Sequence, residues 1–137
     1  MKKELRLVKL DDLKPYDGNP RRNNKSAQIV AKSIQTYGYI NPIVVTDQLG
    51  VLAGHTRLKA LRILGWTEAE VLVVSGLTKE QIDGFVIADN RVGEFSQWNY
   101  SAVDKLVSKT TKDPFMKELG ITSFTENKSE LEKLINA

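Results

Sequence analysis

The chain contains no cysteine. Disulfides, thiolate zinc sites and thiol nucleophiles are therefore excluded, and a reducing compartment is compatible with the sequence. Long apolar runs are missing too. Charges interrupt every short apolar stretch of the N-terminal MKKELRLVKL, unlike the unbroken apolar segment of a secretory signal, and no later segment approaches membrane-spanning length. A cytoplasmic protein with no membrane partner is expected. There is also no large excess of one charge: 20 Lys and Arg stand against 17 Asp and Glu, a formal charge of +3. That balance permits contact with a polyanion but does not demand it. Internal repeats and low-complexity tracts are absent, and with one histidine, His55, no catalytic triad can be drawn.

What is present is a chain of 137 residues, 41% hydrophobic, enough for one buried core and short for two. Strand-like and helix-like patterns alternate. Leu5 to Leu10 alternates apolar with charged residues and is followed by the loop KPYDGNPRRNNK. From Ser26, the residues Ala27, Val30, Ile34 and Tyr37 follow helical spacing, and Gly38 stands where a left-handed cap ends a helix. Ile43 to Thr46 and Val51 to Ala53 flank DQLG and predict a hairpin. A helix over Thr56 to Leu64 ends at Gly65, and Val71 to Val74 reads as a strand covered on both faces. Thr78 and Gln81 form a capping-box pattern, with Leu77 and Ile82 spaced as a hydrophobic staple, so a helix is expected from Lys79 to about Asn90. Ser101 to Ser108, Asp113 to Leu119 and Ser129 to Ile135 predict shorter helices in the tail.

Two corners carry chemistry. In VLAGHTRLKALRILG a strand passes through Gly54 straight into a helix. At about 100° per residue, Arg57, Leu61 and Leu64 share a stripe, while Lys59 and Arg62 lie opposite. Arg57 therefore stands at the start of an apolar face, beside unpaired first-turn amides and the positive end of the helix dipole. Phosphate or carboxylate is the natural ligand, with the amides from Gly54 to Arg57 as donors and Arg57 as a two-pronged contact. The plainer alternative is that Arg57 pairs with a buried carboxylate to tie two helices together, or runs its stem out to water.

On the helix after Thr78, the residues Ile82, Phe85, Val86 and Asp89 share a face, and ADNRVGE then brings Asp89, Asn90 and Glu94 to what reads as a helix terminus. Such oxygen ligands suit Mg2+ in company with substrate phosphates. The competing reading is helix capping plus an Asp89 to Arg57 salt bridge, which spacing alone favours. Arg21 and Arg22 sit in a proline-stiffened loop and, taken alone, read as solvated surface. His55 alone reads as a hydrogen-bonding structural residue.

Taken together, NPRRN, YGYINPIVV, GHTRLKA and ADNRVGE occur in the order and approximate spacing of the ParB/sulfiredoxin superfamily. The chain resembles its ParB-like N-terminal (ParB-like nuclease) domain, in the form found at the front of phage and bacterial DNA modification methylases. The resemblance covers roughly Leu5 to Trp98, and SQWN and GITSFTENKSELEKLI resemble the segment that follows in those proteins. It implies an α+β fold, a small mixed β-sheet with surrounding helices, over residues 1–98, with 99–137 as a helical extension packed on it.

It also implies a site. Gly54, His55, Thr56 and Arg57 match the phosphate-binding motif, Arg21 the arginine of the NPR box, and Asp89 and Asn90 the pair near the metal. The implied ligands are a nucleoside triphosphate, CTP or ATP, and Mg2+. Partition proteins usually read Gly-Glu-Arg-Arg where this chain reads Gly54-His55-Thr56-Arg57. Sulfiredoxin activity needs a cysteine that is absent. No convincing helix-turn-helix follows between Ser101 and Ala137.

The expected function is thus a nucleotide-binding module associated with DNA or with a DNA methylase, contacting DNA weakly and without sequence specificity. A methylase domain or subunit and a second copy of the chain are candidate partners. The alternative is an enzyme, a small phosphotransferase or phosphohydrolase of the same superfamily. There Asp89 or Glu94 would position Mg2+, Arg57 would steady phosphoryl charge, and His55 or a loop carboxylate such as Asp17 would activate the acceptor. A nuclease is a minor variant, because no paired-metal carboxylate cluster assembles from the sequence. An interaction domain that has lost its ligand is the bland third reading.

Overall fold

The computed structural model describes residues 1–15, 24–95, 100–109, 113, 115 and 116; the side chains of residues 24, 90–95, 100, 103, 104 and 107 fall outside that description. The NPRRN loop and the expected Ser129 to Ile135 helix lie outside the described residues.

The elements follow as β1 (Lys2–Lys9), a one-turn 3-10 helix (Leu10–Asp12), α1 (Asn24–Tyr37), β2 (Ile43–Thr46), β3 (Val51–Ala53), α2 (His55–Ile63), β4 (Glu68–Ser75), α3 (Lys79–Phe95) and α4 (Tyr100–Lys109). The strands form one mixed sheet in the order β1-β4-β2-β3. β1 runs antiparallel to β4 and β3 antiparallel to β2, while β2 and β4 are parallel. The fold is α+β, as expected.

Register decides which side chains are buried, because residues opposite one another share a face. Val8 faces Ala69, Ile43 faces Val71, and Val45 faces both Val73 and Val51. All are buried, together with Ala31 and Ile34 of α1 and Leu58, Ala60 and Leu61 of α2. α1 and α2 therefore cover this face of the sheet. Ile43, Val45, Val51, Leu61 and Val71 are fully buried, each contributing about 1.5–3 kcal/mol relative to exposure. The opposite face is only partly covered. Val74 is buried and Leu72 half-buried, but Leu5 is 57% and Leu7 60% exposed. The expectation that 71–74 is covered on both faces thus holds for the valines and in part for Leu72.

Local signals act as read. Gly38 takes φ 93°, and its N–H reaches the Ile34 carbonyl at 2.8 Å, so α1 ends in a left-handed turn. The Thr78 N–H donates to Gln81 Oε1 at 2.9 Å and the Gln81 N–H to Thr78 Oγ1 at 3.2 Å. This is the expected capping box at the start of α3. In the 46–50 turn, the Leu49 N–H donates to the Thr46 carbonyl and the Thr46 N–H to the Gly50 carbonyl, both at 2.9 Å.

α3 differs from expectation. It continues to Phe95 instead of ending near Asn90, so Asp89 and Asn90 lie within the helix, while Glu94 falls in its last turn. Gly93 lies inside this extension, but an interior glycine costs only about 1 kcal/mol relative to alanine, and no proline stands in the segment to enforce a break.

The chain divides into two compact units, Met1–Arg91 and Val92–Ala137. The first holds the sheet, α1, α2 and most of α3. In the second, α4 occupies Tyr100–Lys109, and Asp113 Oδ1 accepts the Phe115 N–H at 2.8 Å, a helix-capping contact of the type expected where that segment begins.

Candidate functional site

The corner after β3 is built by one backbone angle. Gly54 adopts φ 100° and serves as N-cap of α2 with no side-chain cap. Its carbonyl accepts the Leu58 N–H at 2.9 Å, so α2 begins abruptly and its first-turn amides have no side-chain cap to satisfy them. A Cβ on Gly54 would stand 3.1 Å from Arg57 Nε, 3.2 Å from its Nη2 and 3.2 Å from the Ile43 Cα. Glycine is needed here for both reasons, conformation and space. The Arg57 side chain turns back over the corner that precedes it.

An open cleft of about 550 Å³ lies at this point. It is lined by the inner side of α1 at Val30, Ser33 and Ile34, the segment from Tyr37 to Asn41, the end of β3, the turn from Gly54 to Arg57, and Asp89. The structure thus brings together five of the residues singled out from sequence: Gly54, His55, Thr56, Arg57 and Asp89. Arg21 lies outside the described residues. Asn90 and Glu94 are placed as backbone within α3, with their side chains outside the description.

Arg57 is half-buried, and its buried Nε has no hydrogen-bond partner among the described residues. Burial pushes its pKa below the ordinary value, against Tyr39 and Asp89, which raise it. Asp89 is exposed, and among the described residues no ion pair joins it to Arg57. The salt bridge weighed from spacing is therefore replaced by a through-space interaction across the cleft. A buried guanidinium donor with no partner is costly unless something else accepts from it.

His55 stands beside Arg57 on the same turn. Its pKa is lowered, first by burial and then by the charge of Lys59, so the neutral ring is favoured. Among the described residues no group of three His, Asp or Glu side chains could cage a metal. A Mg2+ ion held through phosphate oxygens needs only one or two carboxylates, and Asp89 supplies one at the cleft.

Tyr39 is the residue that sequence reasoning missed. Its hydroxyl donates to the Glu70 carbonyl and accepts the Ile43 N–H, both at 2.8 Å, and its ring meets Trp66 edge-on at 5.7 Å. Burial raises its pKa. This side chain pins the segment before β2 against β4 and forms a wall of the cleft near Arg57. Its only sequence signal was its place within YGYINPIVV.

The geometry agrees with relationships found across known proteins. The model of the ParB N-terminal domain matches residues 1–90. The ParB-like nuclease domain-containing protein YnaK of Escherichia coli K12 is 36% identical over 85 residues, covering 59% of this chain and 97% of that protein. A probable chromosome-partitioning protein ParB of Rickettsia typhi is 27% identical over 85 residues, and the match spans only 30% of its length. In three dimensions, the C-terminally truncated partition protein ParB of Caulobacter crescentus, solved in complex with CTP-gamma-S, superposes with a TM-score of 0.62 at 18% identity. That superposition covers 97% of this chain and 71% of the other. A match over residues 1–90 takes in the whole sheet and the glycine corner, and on that ground the chain belongs to the ParB N-terminal domain family.

Proposed function

We propose that this chain is a nucleotide-binding module whose phosphate seat is the first turn of α2 together with Arg57. The observation that carries the reading is the buried, unpartnered Arg57 Nε beside an uncapped helix start. Anionic oxygens would satisfy both. A structural relative solved with CTP-gamma-S supports a nucleoside triphosphate as ligand, with CTP and ATP as the candidates. Asp89 would hold Mg2+ jointly with phosphate oxygens, and Arg21 and Asn90 would complete the site. The domain would occupy residues 1–98, with 99–137 as its helical extension.

Kinship with partition proteins supports association with DNA, and a modest net charge of +3 favours weak, electrostatic contact without base readout. A methylase domain or subunit is the partner proposed from the motif pattern. The deciding experiment is a thermal-shift and calorimetric screen of the four ribonucleoside triphosphates with and without Mg2+. One of them should bind with Mg2+ dependence, and no response to any would overturn the reading. Duplex DNA binding should fall steeply with salt and differ little among sequences.

A second reading, phosphotransfer or hydrolysis, is favoured by His55, whose neutral ring on the cleft suits a general base. Turnover of the bound nucleotide, tested with and without DNA, separates an enzyme from a binding module.

A further inference from the structure

The net charge of the chain is concentrated on one strand. β1 carries Lys2, Lys3, Arg6 and Lys9 against Glu4 alone, a net +3 over eight residues, as much as the whole chain carries. β1 is also an edge strand, paired among the described residues only with β4, and Lys2 to Leu7 and Lys9 are all exposed. The opposite edge, β3, is three residues long and already occupied: the Lys14 N–H donates to the Leu49 carbonyl at 2.9 Å, and the Val51 N–H to the Lys14 carbonyl at 2.8 Å.

The free backbone groups of β1 follow from its register. The Leu10 N–H donates to the Thr67 carbonyl at 3.0 Å, in line with the pairing that sets Lys9 opposite Glu68. In an antiparallel ladder the residues that exchange bonds alternate. Leu10, Val8, Arg6, Glu4 and Lys2 therefore turn their N–H and C=O groups to β4, and those of Lys3, Leu5, Leu7 and Lys9 point away from the sheet. Side chains alternate with the same period. Val8 lies in the core, so Lys3, Leu5, Leu7 and Lys9 stand on the open face, two exposed leucines between two lysines. Arg6 stands on the other face beside an open hollow of about 440 Å³, which Lys2, Ser75 and the carboxylates Glu4 and Asp47 also line.

We infer that this edge is a docking site for an acidic peptide segment of another protein, which adds to the sheet as an extended, antiparallel strand. Lys3, Leu5, Leu7 and Lys9 each exchange backbone bonds with the residue opposite, giving about eight inter-chain hydrogen bonds. Residues directly opposite share a face and interact through their side chains. The segment therefore carries acids opposite Lys3 and Lys9 and apolar residues opposite Leu5 and Leu7. On the other face an acid stands opposite Arg6, with room for its carboxylate in the hollow beside Lys2. Glu4 already pairs with Arg6, so the two lysines of the open face set most of the charge preference.

The same charges decide against other occupants. A second copy would set one lysine-rich strand against another, and like charges directly opposite are destabilising. Lysines on an open edge guard against such self-pairing, but the repulsion becomes attraction for a strand of opposite sign. Duplex DNA would meet the lysines alone. Its phosphates offer acceptors and no donors, which leaves the outward carbonyls unpaired and the two leucines without apolar cover. An acidic strand answers the charge, the backbone and the leucines together.

The inference is independent of the nucleotide reading and is tested on the full chain without nucleotide. The probe is the peptide Glu-Thr-Val-Glu-Val-Thr-Glu, amidated and carrying an N-terminal fluorophore, titrated by fluorescence anisotropy. It should bind saturably below about 1 mM and slow amide exchange at Leu5 and Leu7. The same peptide with lysine in place of each glutamate, or with both valines N-methylated, should bind at least tenfold more weakly. Lys3→Glu combined with Lys9→Glu should weaken the glutamate peptide at least tenfold and strengthen the lysine peptide. Leu5→Pro removes an outward N–H that the sheet itself does not use, and should abolish binding while the thermal melt stays cooperative. If that variant fails to fold, the N-methylated peptide carries the test. Absence of saturable binding would reduce the lysines to a guard against self-pairing and overturn the inference. Binding indifferent to N-methylation would overturn it too, and a short DNA duplex held through the same lysines would then identify β1 as a polyanion patch.

Discussion

The Arg57 guanidinium folds back over Gly54 so closely that a single added methyl group would lie 3.1 Å from Nε. The corner is therefore a coupled pair: the glycine makes room for the arginine, and the arginine closes the turn that the glycine opens.

Substitution at either position should separate stability from binding. Gly54→Ala places a side chain at φ 100°, which costs about 1–2 kcal/mol in the left-handed region, and displaces Arg57. Stability measured by urea unfolding should fall by that amount and nucleotide affinity should fall with it. Arg57→Met should leave the ligand-free domain equally stable or more so, since it removes a buried donor with no partner, while calorimetry should show binding lost. Arg57→Lys retains charge without the planar fork and should weaken binding roughly tenfold. Unchanged affinity in all three would reduce the corner to a turn.

Asp89 is exposed and makes no ion pair with Arg57 among the described residues. Asp89→Asn should then move stability by no more than about 0.5 kcal/mol, and weaken nucleotide binding in Mg2+ but much less without it. A loss of about 3–5 kcal/mol with no change in binding would instead identify a buried structural pair.

Tyr39→Phe keeps the ring contact with Trp66 but leaves the Ile43 N–H, on a fully buried residue, without its partner. A cost of about 1–3 kcal/mol is expected in chemical denaturation. Amide exchange at Ile43 should speed up, and nucleotide affinity should drop as the cleft wall loosens.

His55 gives the acid side of the stability profile. Its folded pKa lies below the ordinary 6.5, chiefly through burial, so the unfolded chain takes up that proton first. The stability carried by the neutral ring is complete above the unfolded value and is lost as pH falls through the folded one. Urea midpoints followed from about pH 7.5 down to about pH 5, above the carboxylate range, should decline in the natural chain and decline less in His55→Gln. Parallel profiles would show that the ring is not held neutral.

What the sequence determined by itself was local. Gly38, the Thr78–Gln81 box and the DQLG hairpin were legible because each acts through contacts within four residues of itself, and the corner at Gly54 because a glycine between a strand and an apolar helix has few other uses. α3 runs past the expected end near Asn90 to Phe95, because no proline stands in the polar stretch after Asp89 to stop it. Which strands pair, and hence which face is buried, came from tertiary structure: β4 inserts between β1 and β2, an arrangement no single segment specifies. The role of Tyr39 depends on Glu70, 31 residues away. The burial of Arg57 Nε, likewise, is a property of the packed cleft. Sequence supplies donors and charges; only packing decides which of them are cut off from water, and that decides which are left needing a ligand.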